Sequence, residues 1–231
     1  MNAAREPGFF THGQGFQPTR NRGYVAISVY NLKPAFIGLL RPLAVTLAGA
    51  GVTANQVTVA ACLLSVLYAG ALFRSPDSVL LWGLLPVWLF VRMALNAIDG
   101  ILAREFGQKS RLGALLNEMG DVVADAALFA PLALVPGVSV PAVFLFIWMA
   151  LMTEFAGVLA LLVDCPRRYD GPCGKSDRAF LIGLAGLLIA GAYVWGWSVT
   201  SVLSWGLYIC SALMVWTTAN RLRNALAGGV S

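Results

Sequence analysis

Apolar residues run along this chain in six long blocks, near 55–73, 78–105, 112–135, 140–163, 179–195 and 199–220. Each block is continuous, and each approaches or exceeds the roughly 20 residues that a bilayer-spanning helix needs. A membrane β-barrel would show short alternating segments instead. Before the first block, residues 27–52 place apolar positions at helical spacing around Lys33 and Arg41. That pattern predicts an amphipathic helix lying in the interface, with a plain linker as the alternative. Residues 1–26 are polar and lack the apolar stretch of a cleavable signal, so they predict a disordered tail. The expected organisation is an all-α integral membrane protein with an interfacial N-terminal helix at 27–52. Six transmembrane helices follow over 53–223, and a short tail closes the chain at 224–231. No internal repeat of 20–50 residues is visible.

Composition agrees with the pattern. Of 231 residues, 58% are apolar and 12% charged, whereas a soluble domain is about half apolar and one quarter charged. A disordered chain, a coiled coil and an ordinary cytosolic enzyme are excluded. The four cysteines form no CxxC pair and the one histidine, His12, sits in the polar tail, so no histidine-based zinc site exists. Cys165 and Cys173 share a loop and could pair, although a reduced cytoplasmic loop is the plainer expectation.

The net charge of +5 raises the question of nucleic acid, and the placement of the charges answers it. Counting Lys and Arg between successive blocks puts fourteen on one side and one, Arg74, on the other, with Arg92 inside a block. This predicts six helices with both termini cytoplasmic. The basic excess is a membrane address, not a nucleic-acid surface.

Ionisable residues inside a span cost at least about 2.5 kcal/mol each on insertion scales and point to function. Here they gather in three blocks. The second carries Arg92, Asn96 and Asp99, the third Asn117, Glu118, Asp121 and Asp125, and the fourth Glu154. Asn96 and Asp99 are one turn apart, and Asn117, Asp121 and Asp125 repeat every four residues, so each set shares a helix face. At 1.5 Å per residue, Asp99 lies roughly 10 Å from the cytoplasmic end of its span. Asn117 and Asp121 lie about 7 and 13 Å into theirs, and Glu154 about 15 Å into its own, so all can meet in one layer. An oxygen-only cluster of this kind selects a hard cation such as Mg²⁺ or Mn²⁺. The alternative is charge pairing by Arg92, on the face of Asp99. One arginine does not offset four or five carboxylates, which favours metal. Gly100, Ala103 and Gly113 keep the backbone beside these residues open to a bulky ligand. Arg104 and the 104–111 loop stand at the cytoplasmic mouth and suit phosphate.

The string N96-A-I-D99-G100-I-L-A103-R104, eight residues, G113-A-L-L-N117-E-M-G-D121 resembles the signature of the CDP-alcohol phosphatidyltransferase family, D-x2-D-G-x2-A-R-x8-G-x3-D-x3-D. The spacing matches without a gap, and six of the eight signature positions are identical. VTANQVT at 52–58 resembles the family's element opening its first span, and the likeness extends over about residues 30–220. The wording around the motif is most similar to an uncharacterised bacterial inner-membrane branch. The resemblance implies transfer of a phosphatidyl or similar group from a CDP-linked lipid, such as CDP-diacylglycerol, to an alcohol, with release of CMP, in phospholipid biosynthesis. It implies two divalent ions, Mg²⁺ or Mn²⁺, at the positions of Asn96, Asp99, Asn117 and Asp121. It also implies Asp121 as the base toward the acceptor hydroxyl, and Asp99, Gly100, Ala103, Arg104 and Gly113 around the CDP moiety. A homodimer in the bacterial inner membrane is a further implication.

The first and third signature aspartates are asparagine here, at 96 and 117. Asparagine ligates through its carbonyl oxygen but brings no charge. Asp125 and, secondarily, Glu118 are the expected replacements in a rearranged site; a single ion, or a site that binds lipid nucleotide without turnover, is the competing expectation. On the acceptor side, Arg167, Arg168, Lys175 and Arg178 lie in the 164–178 loop. They either serve topology alone or favour an anionic acceptor such as a sugar or polyol phosphate. Glu154 could ligate metal, orient Arg92 or contact the acceptor. Gly183, Gly186 and Ala190 form a small-residue stripe that predicts close helix packing. An ion transporter is disfavoured, because the acidic cluster lies toward one side and no span is broken.

Overall fold

A computed structural model of the chain describes residues 33–228. The expected tail at 1–26 and the first residues of the expected interfacial helix, 27–32, lie outside the described residues. The described residues form seven α-helices: α1 Lys33–Gly49, α2 Ala54–Arg74, α3 Val79–Glu105, α4 Arg111–Phe129, α5 Val140–Leu159, α6 Lys175–Trp195 and α7 Thr200–Gly228. Short 3-10 turns extend α4 through Ala130–Leu134 and α5 through Ala160–Val163.

Polar caps set the helix starts. Thr53 caps α2 in a reciprocal box with Gln56, and Ser78, Ser110 and Ser139 each accept a backbone N–H in the first turn of α3, α4 and α5. Each hydroxyl satisfies a donor that the helix itself leaves unpaired. α6 starts four residues earlier than the apolar block, at Lys175, because the Asp177 carboxylate accepts the Gly174 N–H and closes the first turn. α7 continues past the block to Gly228.

α2, α3, α5 with its extension, α6 and α7 are each long and apolar enough to cross a membrane. α4 is the sixth expected span. It carries Glu118, Asp121 and Asp125 within 19 residues, so its composition sets it apart. It packs on α2 and α5, α3 packs on α6, and α5 packs on α7. α1 lies against α3, with Arg41 paired to Glu105 at 2.9 Å.

Trp82, Leu85, Leu128, Phe129, Phe146 and Ile182 belong to the main core, where α3, α4, α5 and α6 meet. A smaller core of Ala44, Val57, Ile98 and Leu102 joins α1, α2 and α3 toward the 104–111 loop. The outer surface is apolar: Leu67, Phe90, Phe144, Phe180, Trp205 and Trp216 are all exposed. An apolar exterior of this extent suits lipid contact, not water. The expected close packing on α6 is present. A Cβ at Gly186 would lie 2.7 Å from the Trp82 carbonyl, and one at Gly183 would lie 3.1 Å from Pro86.

Candidate active site

The site forms where α3, α4, α5 and the start of α6 meet, at the end of the bundle that carries the 104–111 and 164–174 loops. α3 turns Arg92 and Asn96, one turn apart, toward α4, and Asp99 reaches α2. Asn96 Nδ2 donates to Asp121 Oδ1 at 2.9 Å, joining the two halves of the signature. Arg92 donates to Asp125 Oδ1 at 2.5 Å and, through Nη2, to Asp121 Oδ1 at 3.3 Å and the Asp121 carbonyl at 3.1 Å. Its partners are therefore on α4, not the Asp99 of its own helix.

The 164–174 loop and the first turn of α6 bring three more cations. Lys175 Nζ pairs with Asp121 Oδ2. Arg178 pairs with Glu154 at 2.7 Å and Asp125 at 3.4 Å, and donates to Thr153 Oγ1 at 3.0 Å. Arg167 pairs with Glu154 at 2.8 Å and with Glu118, and its guanidinium lies 4.7 Å from the Tyr169 ring centroid. Four cations thus interleave with Glu118, Asp121, Asp125 and Glu154 in one continuous network. Arg92 thus does not stand alone against the carboxylates, contrary to the expectation from sequence: the loop after α5 and the first turn of α6 supply the other positive charges. Burial of such groups requires this pairing, because each unpaired charge costs several kcal/mol.

Asp99 is different. It is buried, and among the described residues it forms no ion pair; Thr58 Oγ1 on α2 donates to its Oδ2 at 2.7 Å. Thr58 is a functional candidate that the sequence argument did not single out, although it stands within the 52–58 element. Asn117 is half-buried one turn before Asp121.

The residues expected around CDP line the mouth. Arg104 is exposed and folds back over Gly100, where a Cβ would lie 3.0 Å from Nη2. A flexible side chain is thus the near neighbour there, and it can withdraw to admit a ligand. Ala103 lies half-buried one turn beyond Gly100. Gly113 faces α2: a Cβ there would fall 2.6 Å from Asn55 Oδ1.

The 164–174 loop is fastened to α7. Arg221 donates to the Thr153 carbonyl at 2.5 Å and the Asp170 carbonyl at 3.1 Å, and Thr217 donates to the Pro172 carbonyl. Asn224 donates to Asp170 Oδ2 at 2.6 Å, and Arg168 pairs with Asp170 at 2.9 Å. Arg168 therefore turns away from the carboxylate cluster. Gly171, at φ +109°, is required where the loop presses on Thr217, since a Cβ would lie 2.7 Å from its methyl. The four cysteines are all free thiols, with no Cys165–Cys173 bond.

Asp99 offers a carboxylate without a basic partner, Asn96 keeps its carbonyl oxygen free, and Asn117 offers a second neutral oxygen. These hard oxygens fit Mg²⁺ or Mn²⁺. Asp125 and Glu118 are held by arginines. Among the described residues no three Asp, Glu, His or Cys side chains form a ready metal cage.

Comparison with known proteins agrees with the geometry. The family model for CDP-alcohol phosphatidyltransferase matches residues 51–219. Inner membrane protein YnbA of Escherichia coli is 46% identical over 200 residues, 87% of this chain and 97% of that protein. The phosphatidylinositol phosphate synthase of Mycobacteroides abscessus is 32% identical over 187 residues, 79% of this chain and 83% of that protein. The crystal structure of the Mycobacterium tuberculosis phosphatidylinositol phosphate synthase with CDP-DAG bound has the same fold. It superimposes with a TM-score of 0.61 at 23% identity, covering 80% of this chain and 92% of that one. With its gapless signature and its apolar multi-pass helices, the chain belongs to the CDP-alcohol phosphatidyltransferase family, as a membrane enzyme that transfers a phosphatidyl group from a CDP-linked lipid to an alcohol.

Proposed function

We propose that transfer proceeds by attack of the acceptor hydroxyl on the lipid-bearing phosphorus of the CDP-linked donor, with Asp121 as the base. A new P–O bond forms to the acceptor, the diphosphate bridge breaks toward the cytidine side, and CMP leaves. Asp121 takes the hydroxyl proton. Asn96 and Arg92 hold the carboxylate in place on the α3 side. Lys175 pairs with its other oxygen and is the one partner placed to swing away, being a flexible, partly exposed side chain on the first turn of α6. Gly100, Ala103, Arg104 and Gly113 receive the CDP moiety, with Arg104 as the phosphate fork. Asp99, Asn96 and Asn117 are the residues that would hold a divalent ion, which would supply neutralising charge on the diphosphate and make CMP a better leaving group.

Arg167 and Lys175 stand at the acceptor side and would meet a phosphorylated alcohol. Glu154, itself paired with the fully buried Arg178, holds Arg167 in position. The relative named phosphatidylinositol phosphate synthase supports a phosphorylated acceptor. The relative named inner membrane protein supports an inner-membrane location, and the basic loops support cytoplasmic termini.

The observation that carries this reading is the Asn96–Asp121 hydrogen bond, which closes the two signature halves into one site. The test is CMP release from CDP-diacylglycerol with Mg²⁺ or Mn²⁺ and a panel of polyol and sugar phosphates beside neutral alcohols. Release lost in Asp121→Ala supports transfer. CDP-lipid binding without CMP release for any acceptor would favour a non-catalytic binding protein, a reading supported by the donors already on both Asp121 oxygens.

A further inference from the structure

We propose that this chain works with a single divalent ion, and that the Lys175 ammonium and the Asn96 amide hold Asp121 in place of a second one. This inference rests on the phosphatidyl-transfer reading and assigns its metal count and charge balance. The signature that the chain resembles provides four carboxylates, enough to balance the four positive charges of two ions. Here two of the four are neutral, Asn96 and Asn117.

The structure shows what replaces the missing charge. An aspartate at 96 would set two carboxylates within hydrogen-bond distance, which is tolerable only with a cation or a shared proton between them. The asparagine donates from Nδ2 to Asp121 Oδ1 at 2.9 Å and removes that need. The other Asp121 oxygen accepts Lys175, so both oxygens are engaged by donors of the chain. Two ions about 4 Å apart repel strongly and need carboxylate charge between them. Asp121 is not free to provide it. The carboxylates that could restore the count are committed: Asp125 to Arg92 and Arg178, Glu118 to Arg167.

Charge arithmetic agrees. Asp99, Glu118, Asp121, Asp125 and Glu154 face Arg92, Arg167, Lys175 and Arg178, one negative charge in excess. Without donor lipid, one divalent ion leaves the cluster with one positive charge and two ions leave it with three, so the donor-free chain is nearest neutrality with one. Asp99, with Thr58 as its hydrogen-bond partner, is where the charge of the ion is unmet. Lys175 suits the other role: an ammonium is a compact point charge, and its stem leaves from the first turn of α6, beside the loop that closes the site.

Mn²⁺ binding to the full chain in lipid nanodiscs tests this by electron paramagnetic resonance and calorimetry, with CMP release assayed separately on the same preparation. The wild-type protein should bind one Mn²⁺ per chain. Lys175→Met should keep that count and tighten binding about tenfold, the order that a neighbouring unit charge costs a divalent ion through solvent. Asn96→Asp with Asn117→Asp and Lys175→Met should bind two. Two ions on the wild-type chain, or unchanged affinity in Lys175→Met, overturns the inference whatever the activity. One ion without CMP release from any acceptor upholds the metal count and overturns the transfer reading instead. The wild-type stoichiometry needs no variant to fold.

Discussion

Replacing Thr58 by valine keeps the shape of the side chain and removes one hydroxyl. That hydroxyl donates to Asp99 Oδ2 at 2.7 Å, and both residues are buried. The same oxygen lies 3.1 Å from the Ala54 carbonyl, so a single proton serves two acceptors; the shorter, charge-assisted bond to the carboxylate is the stronger. A hydrogen bond to a charged group contributes about 1.5–3 kcal/mol. Loss of the Asp99 bond therefore corresponds to a fall in kcat/KM of about tenfold to a hundredfold, at about 1.4 kcal/mol per factor of ten. Ala54 loses only a helix back-bond, since its carbonyl already serves the α2 ladder, but the buried Asp99 loses its side-chain donor, so the unfolding temperature should fall as well. Thr58→Ser retains the donor and should stay within a fewfold of wild type. The assay is CMP release over a range of CDP-lipid and Mn²⁺ concentrations, with thermal unfolding as the folding control. Full activity in Thr58→Val, or equal impairment in Thr58→Ser, would refute the claim that this hydroxyl orients Asp99.

Arg178→Met should lower the unfolding temperature in detergent and abolish CMP release. It strips Glu154 and Asp125 of a fully buried partner, a cost of about 3–5 kcal/mol, and Arg178→Lys should rescue little because a point charge cannot bridge both carboxylates. Gly186→Ala should destabilise the α3–α6 contact by about 1–3 kcal/mol, measured by thermal unfolding, because its methyl would meet the Trp82 carbonyl at 2.7 Å. In the 164–174 loop, partial burial pushes the Asp170 carboxyl up. Hydrogen bonds from Asn224 and the backbone, with the Arg168 charge, outweigh that and leave it below the ordinary carboxylate value. The stability it contributes is fully present above about pH 4, its unfolded value, and is lost as pH falls through the depressed folded value. Wild type should therefore lose its unfolding-temperature advantage over Asp170→Asn below about pH 4 and keep it at neutral pH.

Much of the site could be read along the chain because its parts are local. Asp99, Gly100, Ala103 and Arg104 fall within two turns of one helix, and Gly113, Asn117 and Asp121 within three turns of the next. A fixed rise and turn angle turn such spacings into a face and a depth without tertiary information. The six blocks became α2 to α7 within a few residues at most ends, since continuous apolarity and the Ser and Thr caps are local as well. The stripe at Gly183, Gly186 and Ala190 was legible as packing, but its partner on α3 was not.

The sequence alone determined a helical membrane bundle, the family signature and two aspartates replaced by asparagine. Only the tertiary structure decided how the buried charges are balanced. Arg167 stands 49 residues beyond Glu118 and Arg178 stands 53 beyond Asp125, with Lys175 about equally far from Asp121, and nothing local directs them to those carboxylates. They arrive because α7 holds the 164–174 loop through Thr217, Arg221 and Asn224, and because a buried charge must find an opposite one. Thr58 escaped notice for the same reason. A hydroxyl in an apolar helix has a local use, bonding its own carbonyl, and only the packing of α2 on α3 turns it to Asp99. Periodicity states which face a residue occupies, and packing decides what that face meets.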